Sequence, residues 1–110
     1  MEDCLFCKMA RSDVATEKIY EDNLIYVIKD IRPKAKVHLL IISKIHIDSL
    51  AVVQEEQSGL LGYMMTSLKN FAKEQGLDSF RTIINTGSGS GQEIFHLHMH
   101  LLGGGPLPKF

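Results

Sequence analysis

Long apolar runs, surplus charge and cysteine are all scarce in this chain of 110 residues. The run Leu39 to Ile42, like every other apolar run here, is far too short to cross a bilayer. Twelve basic residues against thirteen acidic ones leave a net charge of −1, with no electrostatic footprint for gripping nucleic acid or an anionic membrane. Two cysteines, Cys4 and Cys7, are too few for a disulfide framework; spaced C-x-x-C, they point to metal or thiol chemistry. The opening M-E-D-C-L-F-C-K has neither the basic start nor the long apolar stretch of a secretory signal. These absences predict a soluble, cytoplasmic protein with no nucleic acid and no membrane among its partners. The length suits one domain, expected over 1–110, with a core that needs no staples.

Histidine is what the chain concentrates. Three of its five histidines, His96, His98 and His100, alternate with Leu97, Met99 and Leu101 in F-H-L-H-M-H-L-L-G, Phe95 to Gly103. Strict alternation marks a half-buried strand, so the three imidazoles share one face and the apolar side chains face a core. Taken alone, such a row is also compatible with a solvated, imidazole-rich face.

The rest of the pattern supplies a sheet for that strand. Ile19 to Glu21, a turn at Asp22-Asn23, and Leu24 to Lys29 predict a hairpin. Asp30 closes the second strand, and Pro33 keeps Arg32-Pro33-Lys34 a loop. Val37 to Ser43 is a third strand whose continuous apolar run implies burial on both faces. Phe80 to Asn85 is a fourth, and Gly87 to Gly91 a flexible loop before the histidine strand. Cys4 to Met9 suffices for a short helix, and Asp48 or Ser49 could cap a short turn. The main helix is expected from about Val53 to Gln75, its stripe formed by Leu60, Leu61, Met64, Met65, Leu68, Phe71 and Ala72. Gly76 and Leu77 form a plausible C-terminal cap, and Gly103 to Phe110 should lack regular structure. Strands with one long helix inserted imply an α+β fold around an antiparallel sheet.

Strand geometry restricts what the histidine row can do. Alternate residues lie roughly 6.5 to 7 Å apart, so His96 and His100 are separated by about 13 Å. A catalytic metal held by all three would need a pronounced bend, which disfavours a metal-dependent hydrolase. An imidazole nucleophile fits better. Neutral histidine has one free ring nitrogen, and a hydrogen bond from the other fixes the tautomer. That nitrogen can attack phosphorus while a neighbouring imidazole holds a phosphate oxygen or assists the leaving group. The G-S-G-S-G loop adds a weak signal for an anion-binding nest, but without G-K-[ST] it is no nucleoside triphosphate loop.

The segment Gly91-Gln92-Glu93-Ile94-Phe95-His96-Leu97-His98-Met99-His100-Leu101-Leu102 resembles the signature of the histidine triad (HIT) superfamily. The likeness extends to C-L-F-C-K, to Asp30-Ile31-Arg32-Pro33-Lys34-Ala35 and to Ser43-Lys44-Ile45-His46-Ile47, so it covers nearly the whole chain and looks most like the Hint branch. The resemblance implies that His98 attacks the α-phosphorus of a nucleotide and becomes nucleotidylated, oriented by the carbonyl of His96. It implies that His100 binds phosphate and assists the leaving group, with His38 supporting from the third strand. Asn85 and Gln92 would contact phosphate, and Asp30 would hold the ribose hydroxyls beneath apolar residues such as Ile31. Apart from the resemblance, His38 reads as a histidine satisfied at a strand end and Asp30 as a turn carboxylate.

Two positions depart from the family pattern. Glu93, grouped here with the nucleotide-binding residues, stands where many members have Ser or Thr, and a carboxylate there favours amine-bearing leaving groups. The chain also has no tryptophan, and its tail after Gly105 lacks the Trp-containing extension of many Hint proteins.

Cys4 and Cys7 lie one helical turn apart, so their sulfurs can share a face. They precede the first strand, which argues against thioredoxin-like chemistry. The resemblance implies a structural zinc completed by His46 and His96, a closed shell with no catalytic role. It also implies a homodimer. No cofactor is expected for catalysis.

The function expected is a purine nucleoside phosphoramidase acting on AMP- or GMP-type substrates. The alternatives are a dinucleoside polyphosphate hydrolase and, of another class, a nucleotide-binding or protein-interaction module with incidental activity.

Overall fold

A computed structural model describes residues 4–110. Among them, five strands make one antiparallel sheet: β1 (Tyr20–Glu21), β2 (Ile25–Lys29), β3 (Val37–Ser43), β4 (Phe80–Ile83) and β5 (His98–Gly103). Their spatial order is β1-β2-β3-β5-β4. Two α-helices accompany the sheet, a short α1 (Leu5–Ala10) and a long α2 (Ser58–Glu74). This is the expected α+β architecture. No helix among the described residues is long and apolar enough to cross a membrane.

The period of two along each strand sorts the side chains into two cores. Ile25, Val27, Leu39, Ile41, Met99 and Leu101 pack with Met64, Leu68, Phe71 and Ala72 of α2. Tyr26, Ile28, Leu40 and Ile42 pack on the other face around Phe6 of α1. Both sides of β3 are therefore covered, which is why Val37 to Ser43 reads as one apolar run. The register places Ile42 opposite His98, Leu40 opposite His100 and His38 opposite Leu102. The catalytic candidates thus share the α1 face, and the tyrosine hydroxyl of Tyr26 fastens α1 there by donating to the carbonyl of Phe6 at 2.6 Å.

Asp22 organises the first hairpin. Its Oδ1 accepts from the backbone N–H of Leu24 at 2.7 Å and of Ile25 at 2.9 Å, and Oδ2 accepts from the Tyr20 hydroxyl at 2.8 Å. Tyr63 of α2 donates to the same Oδ2. Burial opposes the charge, but donors from Tyr63, Ile25, Leu24 and Tyr20 hold the carboxyl down at about 2.

Boundaries differ from the sequence reading where local hydrogen bonds outweigh apolar periodicity. Ser49 caps a single 3₁₀ turn, Leu50–Val52, after which Val53 is extended. A second 3₁₀ turn, Glu55–Gln57, intervenes before α2 begins at Ser58, five residues later than expected from Val53. Met65 is 50 % exposed and lies outside the stripe that its neighbour Met64 joins, since a helix turns only one face to the sheet. β4 ends at Ile83, short of Asn85. At the far end of α2 the expected cap forms: Gly76 takes φ 72°, Gly76 N–H donates to Lys73 and Leu77 N–H to Ala72.

Candidate active site and metal centre

The α1 face of the sheet is only partly covered, and the uncovered part is a cavity of about 630 Å³. His38, His98 and His100 stand on its sheet side, Leu5, Phe6 and Met9 of α1 on another wall, and the segments around Asp30 and Gln92 on the rest. The histidine row is less regular than its sequence. β5 starts only at His98, because Leu97 N–H donates to Ile47 and the Leu97 carbonyl accepts from Ser43, off the regular ladder. His96 therefore lies before the strand, with its ring at the cysteines rather than in the cavity.

Hydrogen bonds assign the tautomers. Nδ1 of His98 is 2.7 Å from the carbonyl oxygen of His96. A carbonyl can only accept, so Nδ1 carries the hydrogen and Nε2 keeps its lone pair. Lys34 N–H donates to Nδ1 of His38 at 3.0 Å, which puts the hydrogen of that ring on Nε2. That Nε2–H lies 2.9 Å from Nδ1 of His100 and 3.4 Å from Oδ2 of Asp30. His100 consequently accepts on Nδ1 and carries its own hydrogen on Nε2. The site offers one imidazole lone pair on His98 and one imidazole donor on His100, in rings 5.2 Å apart.

Burial keeps these rings neutral. It lowers His98 below the ordinary imidazole value, against the opposing pull of the His96 carbonyl and Asp30. His100 is pushed down to about 4, first by burial and then by His98 and His38. His38 is lowered by burial as well, against the nearby Asp30 carboxylate. A neutral His98 is the form that can attack.

The other expected residues fall into place unequally. Asp30 is half-buried on the cavity wall, its Oδ1 accepting from Arg32 N–H at 2.8 Å, and Ile31 stands 91 % exposed at the rim. Asn85 also lines the cavity. Gln92 does too, but its amide is occupied: Oε1 accepts from Gly87 N–H at 2.8 Å, while Nε2 donates to Asp48 and Ile94 carbonyls at 2.9 and 3.1 Å. Its side chain holds the loop rather than reaching for phosphate. The Gly87 to Gly91 loop is not a loose nest either. It contains a 3₁₀ turn, Ser88–Ser90, and the N–H groups of Gly87, Ser90, Gly91 and Gln92 are bonded inside it. Glu93 is exposed on the cavity wall.

Cys4, Cys7, His46 and His96 converge, each offering one donor atom within 4.8 Å of the others. The sulfur-to-nitrogen distances are 3.2 Å for Cys4 to His96, 3.2 Å for Cys7 to His46 and 3.5 Å for Cys7 to His96. A tetrahedral zinc with ordinary bond lengths requires edges of about 3.5 Å. Both rings are also in the tautomer a metal needs. Nε2–H of His96 donates to the Ser43 carbonyl at 2.7 Å and Nε2–H of His46 to Asp48 at 2.6 Å, so both Nδ1 lone pairs face the sulfurs. Cys7 N–H donates to Cys4 Sγ at 3.3 Å. The donor set fits a closed structural zinc. Asp30, His38 and His100 also cluster within 4.8 Å, but Lys34 N–H keeps Nε2 of His38 protonated and so a donor, not a ligand.

Three supporting residues escaped the sequence reading. Phe6 meets His98 edge-on at 5.1 Å and His96 at 5.9 Å; its only signal is its place inside C-L-F-C. Asp48 orients His46 from two residues away. Ser43 acts through its carbonyl, which no residue type announces.

Known proteins resemble this chain over nearly its full length. Residues 3–105 match a family model described as scavenger mRNA decapping enzyme C-term binding. Protein HitA of Neisseria gonorrhoeae is 49 % identical over 104 residues, 94 % of this chain and 97 % of that protein. The purine nucleoside phosphoramidase of Escherichia coli K12 is 40 % identical over 108 residues, 96 % of this chain and 91 % of that protein. A histidine triad protein from Clostridium difficile superposes with a TM-score of 0.95 at 38 % identity, covering 100 % of this chain and 97 % of the other. A Zn-bound histidine triad family protein from Mycobacterium smegmatis gives 0.79 at 30 % identity, over 93 % and 75 % of the two chains. The row of histidines, the sheet that carries it and these likenesses agree: the chain belongs to the histidine triad family.

Proposed function

We propose that this protein hydrolyses purine nucleoside phosphoramidates by way of a nucleotide bound covalently to His98. The observation that carries the reading is the 2.7 Å contact between Nδ1 of His98 and the His96 carbonyl, which leaves Nε2 free in the cavity. The name of the Escherichia coli relative supports the substrate class and the purine.

In the first step Nε2 of His98 bonds to the α-phosphorus while the bond from phosphorus to the leaving nitrogen breaks. The electron pair of that bond stays with the nitrogen, which takes up a proton and leaves as the amine. Nδ1–H remains on the His96 carbonyl and supports the imidazolium that forms. The Nε2–H of His100 is available to a phosphate oxygen, and His38 holds the tautomer of His100. Water then attacks phosphorus, the bond from phosphorus to Nε2 breaks with its pair returning to Nε2, and the proton that water loses to solvent balances the one the amine carried off. Asp30 suits the ribose hydroxyls and Ile31, with Met9 and Phe6, the base; Asn85 faces the phosphate. His96 with Cys4, Cys7 and His46 would hold a structural zinc, whose chemistry is to fasten the N-terminal segment to the sheet. The Zn-bound Mycobacterium smegmatis relative supports zinc as the metal. A homodimer is part of the same proposal, supported by the exposed edge strand β4.

Turnover of an adenosine phosphoramidate beside a diadenosine polyphosphate tests the substrate class. The reading predicts a higher kcat/KM for the phosphoramidate and loss of both activities in His98→Ala. Preference for the dinucleotide would favour the polyphosphate hydrolase instead.

A further inference from the structure

The cavity above His98 does not end at the wall formed by Gly91 to Ile94. A second cavity of about 470 Å³ adjoins it and shares Leu5, Glu93 and Ile94 with the first. Leu5 and Phe95, both largely exposed, give the second cavity an apolar floor. Among the described residues that line it, two are carboxylates. Asp48 is engaged by His46 at 2.6 Å, whereas Glu93 makes no hydrogen bond or ion pair among the described residues. Among the described residues no lysine or arginine lines this second cavity, while Lys29, Arg32 and Lys34 all stand on the Asp30 side of the first.

We infer that Glu93 selects the leaving group, favouring an amine that carries a second cation on an aliphatic stem. The stem lies along Leu5, Ile94 and Phe95, and the distal ammonium sits against the Glu93 carboxylate. This rests on the reading of His98 as nucleophile. In-line displacement puts the leaving nitrogen on the side of phosphorus away from Nε2. With the nucleoside on the Asp30 side, among three cations, the Gly91 to Ile94 wall is the exit that welcomes positive charge. The distal ammonium takes no part in the bond changes; it contributes binding only.

The test uses the full chain at low ionic strength and three adenosine phosphoramidates, of hexylamine, hexamethylenediamine and aminocaproate. An exposed carboxylate–ammonium pair predicts a kcat/KM for the diamine conjugate roughly threefold to fivefold above that of the hexylamine conjugate. The aminocaproate conjugate should fall below it by a similar factor. High salt should shrink both differences. Glu93→Gln should bring the ratios near unity and Glu93→Lys reverse them. Because each ratio is taken within one variant, a general loss of activity cancels. Equal rates in the unaltered protein, or a charge preference that survives Glu93→Gln, would overturn the inference alone. Turnover of none of the three would overturn it together with the reading of His98.

Discussion

The carbonyl of His96 accepts the Nδ1–H of His98 at 2.7 Å, while the ring of His96 presents its own Nδ1 to the sulfurs of Cys4 and Cys7. One residue therefore touches two clusters, by its main chain His98 and by its side chain the cysteines.

The metal centre is the first consequence to test. Protein purified without chelator should contain about one zinc per chain. Cys7→Ala should lower that content and the melting temperature, by roughly 10 °C or more, since metal bound only by the folded state stabilises it. Metal analysis and calorimetry on both proteins decide the matter. Zinc-free protein with an unchanged melting temperature would refute it.

Much of this was legible beforehand, for definite reasons. Alternation reports faces, so it put His98 and His100 on one side of a strand and Met99 and Leu101 on the other, while their places opposite Ile42 and Leu40 depend on a register that alternation does not report. It could not show that regular pairing begins only at His98, because that depends on Leu97 N–H finding the carbonyl of Ile47. Gln92 was legible as a cavity residue but not as one whose amide is used up by Gly87, Asp48 and Ile94. Side-chain partners drawn from distant loops leave no period in a sequence. The late start of α2 has the same origin, since Ser49 and the turns after it follow local hydrogen bonds that apolar spacing does not report.

Acid should destabilise the fold through His100. Its value is depressed from 6.5 in the unfolded chain to about 4 in the fold, chiefly by burial. Between those values the unfolded chain binds more protons, so the native state loses stability as pH falls. The contribution is fully present above about pH 6.5 and gone below about 4. Urea midpoints measured across that window should decline with acid, and His100→Asn should flatten the decline. An unchanged slope in the variant would contradict the assignment.

Asp22→Ala removes the acceptor for two backbone N–H groups and two tyrosine hydroxyls. Loss of about 2 kcal/mol is expected, because the donors of Ile25 and Tyr63 are left partly buried without partners. Chemical denaturation measures it. A change below about 0.5 kcal/mol, the ordinary size for a surface substitution, would show that the turn holds without its carboxylate.

The proposed dimer would use what the sheet leaves open. β4 is an edge strand, Phe80 on it is exposed, and Met65 of α2 faces outward. An edge of this kind pairs readily with a second copy across a two-fold axis. Light scattering at micromolar concentration should give twice the chain mass, and Phe80→Glu should shift the population toward monomer. A monomeric mass for the unaltered protein would rule the dimer out.

The pH dependence of turnover should follow the nucleophile. Protonated imidazole has no lone pair, so kcat/KM should fall on the acid side, and only below the ordinary imidazole value, because burial lowers that of His98. A rate that rises as the solution is acidified through that range would be inconsistent with a neutral attacking ring.

The covalent intermediate is the most direct test. Rapid acid-free quenching of the protein with an adenosine phosphoramidate, followed by intact mass and peptide mapping, should reveal one added adenylyl group, on His98. His98→Ala should show no such adduct and lose at least about a thousandfold in turnover, while His100→Ala should lose less. Near-normal turnover by His98→Ala, or an adenylyl group mapped to any other residue, would contradict the account.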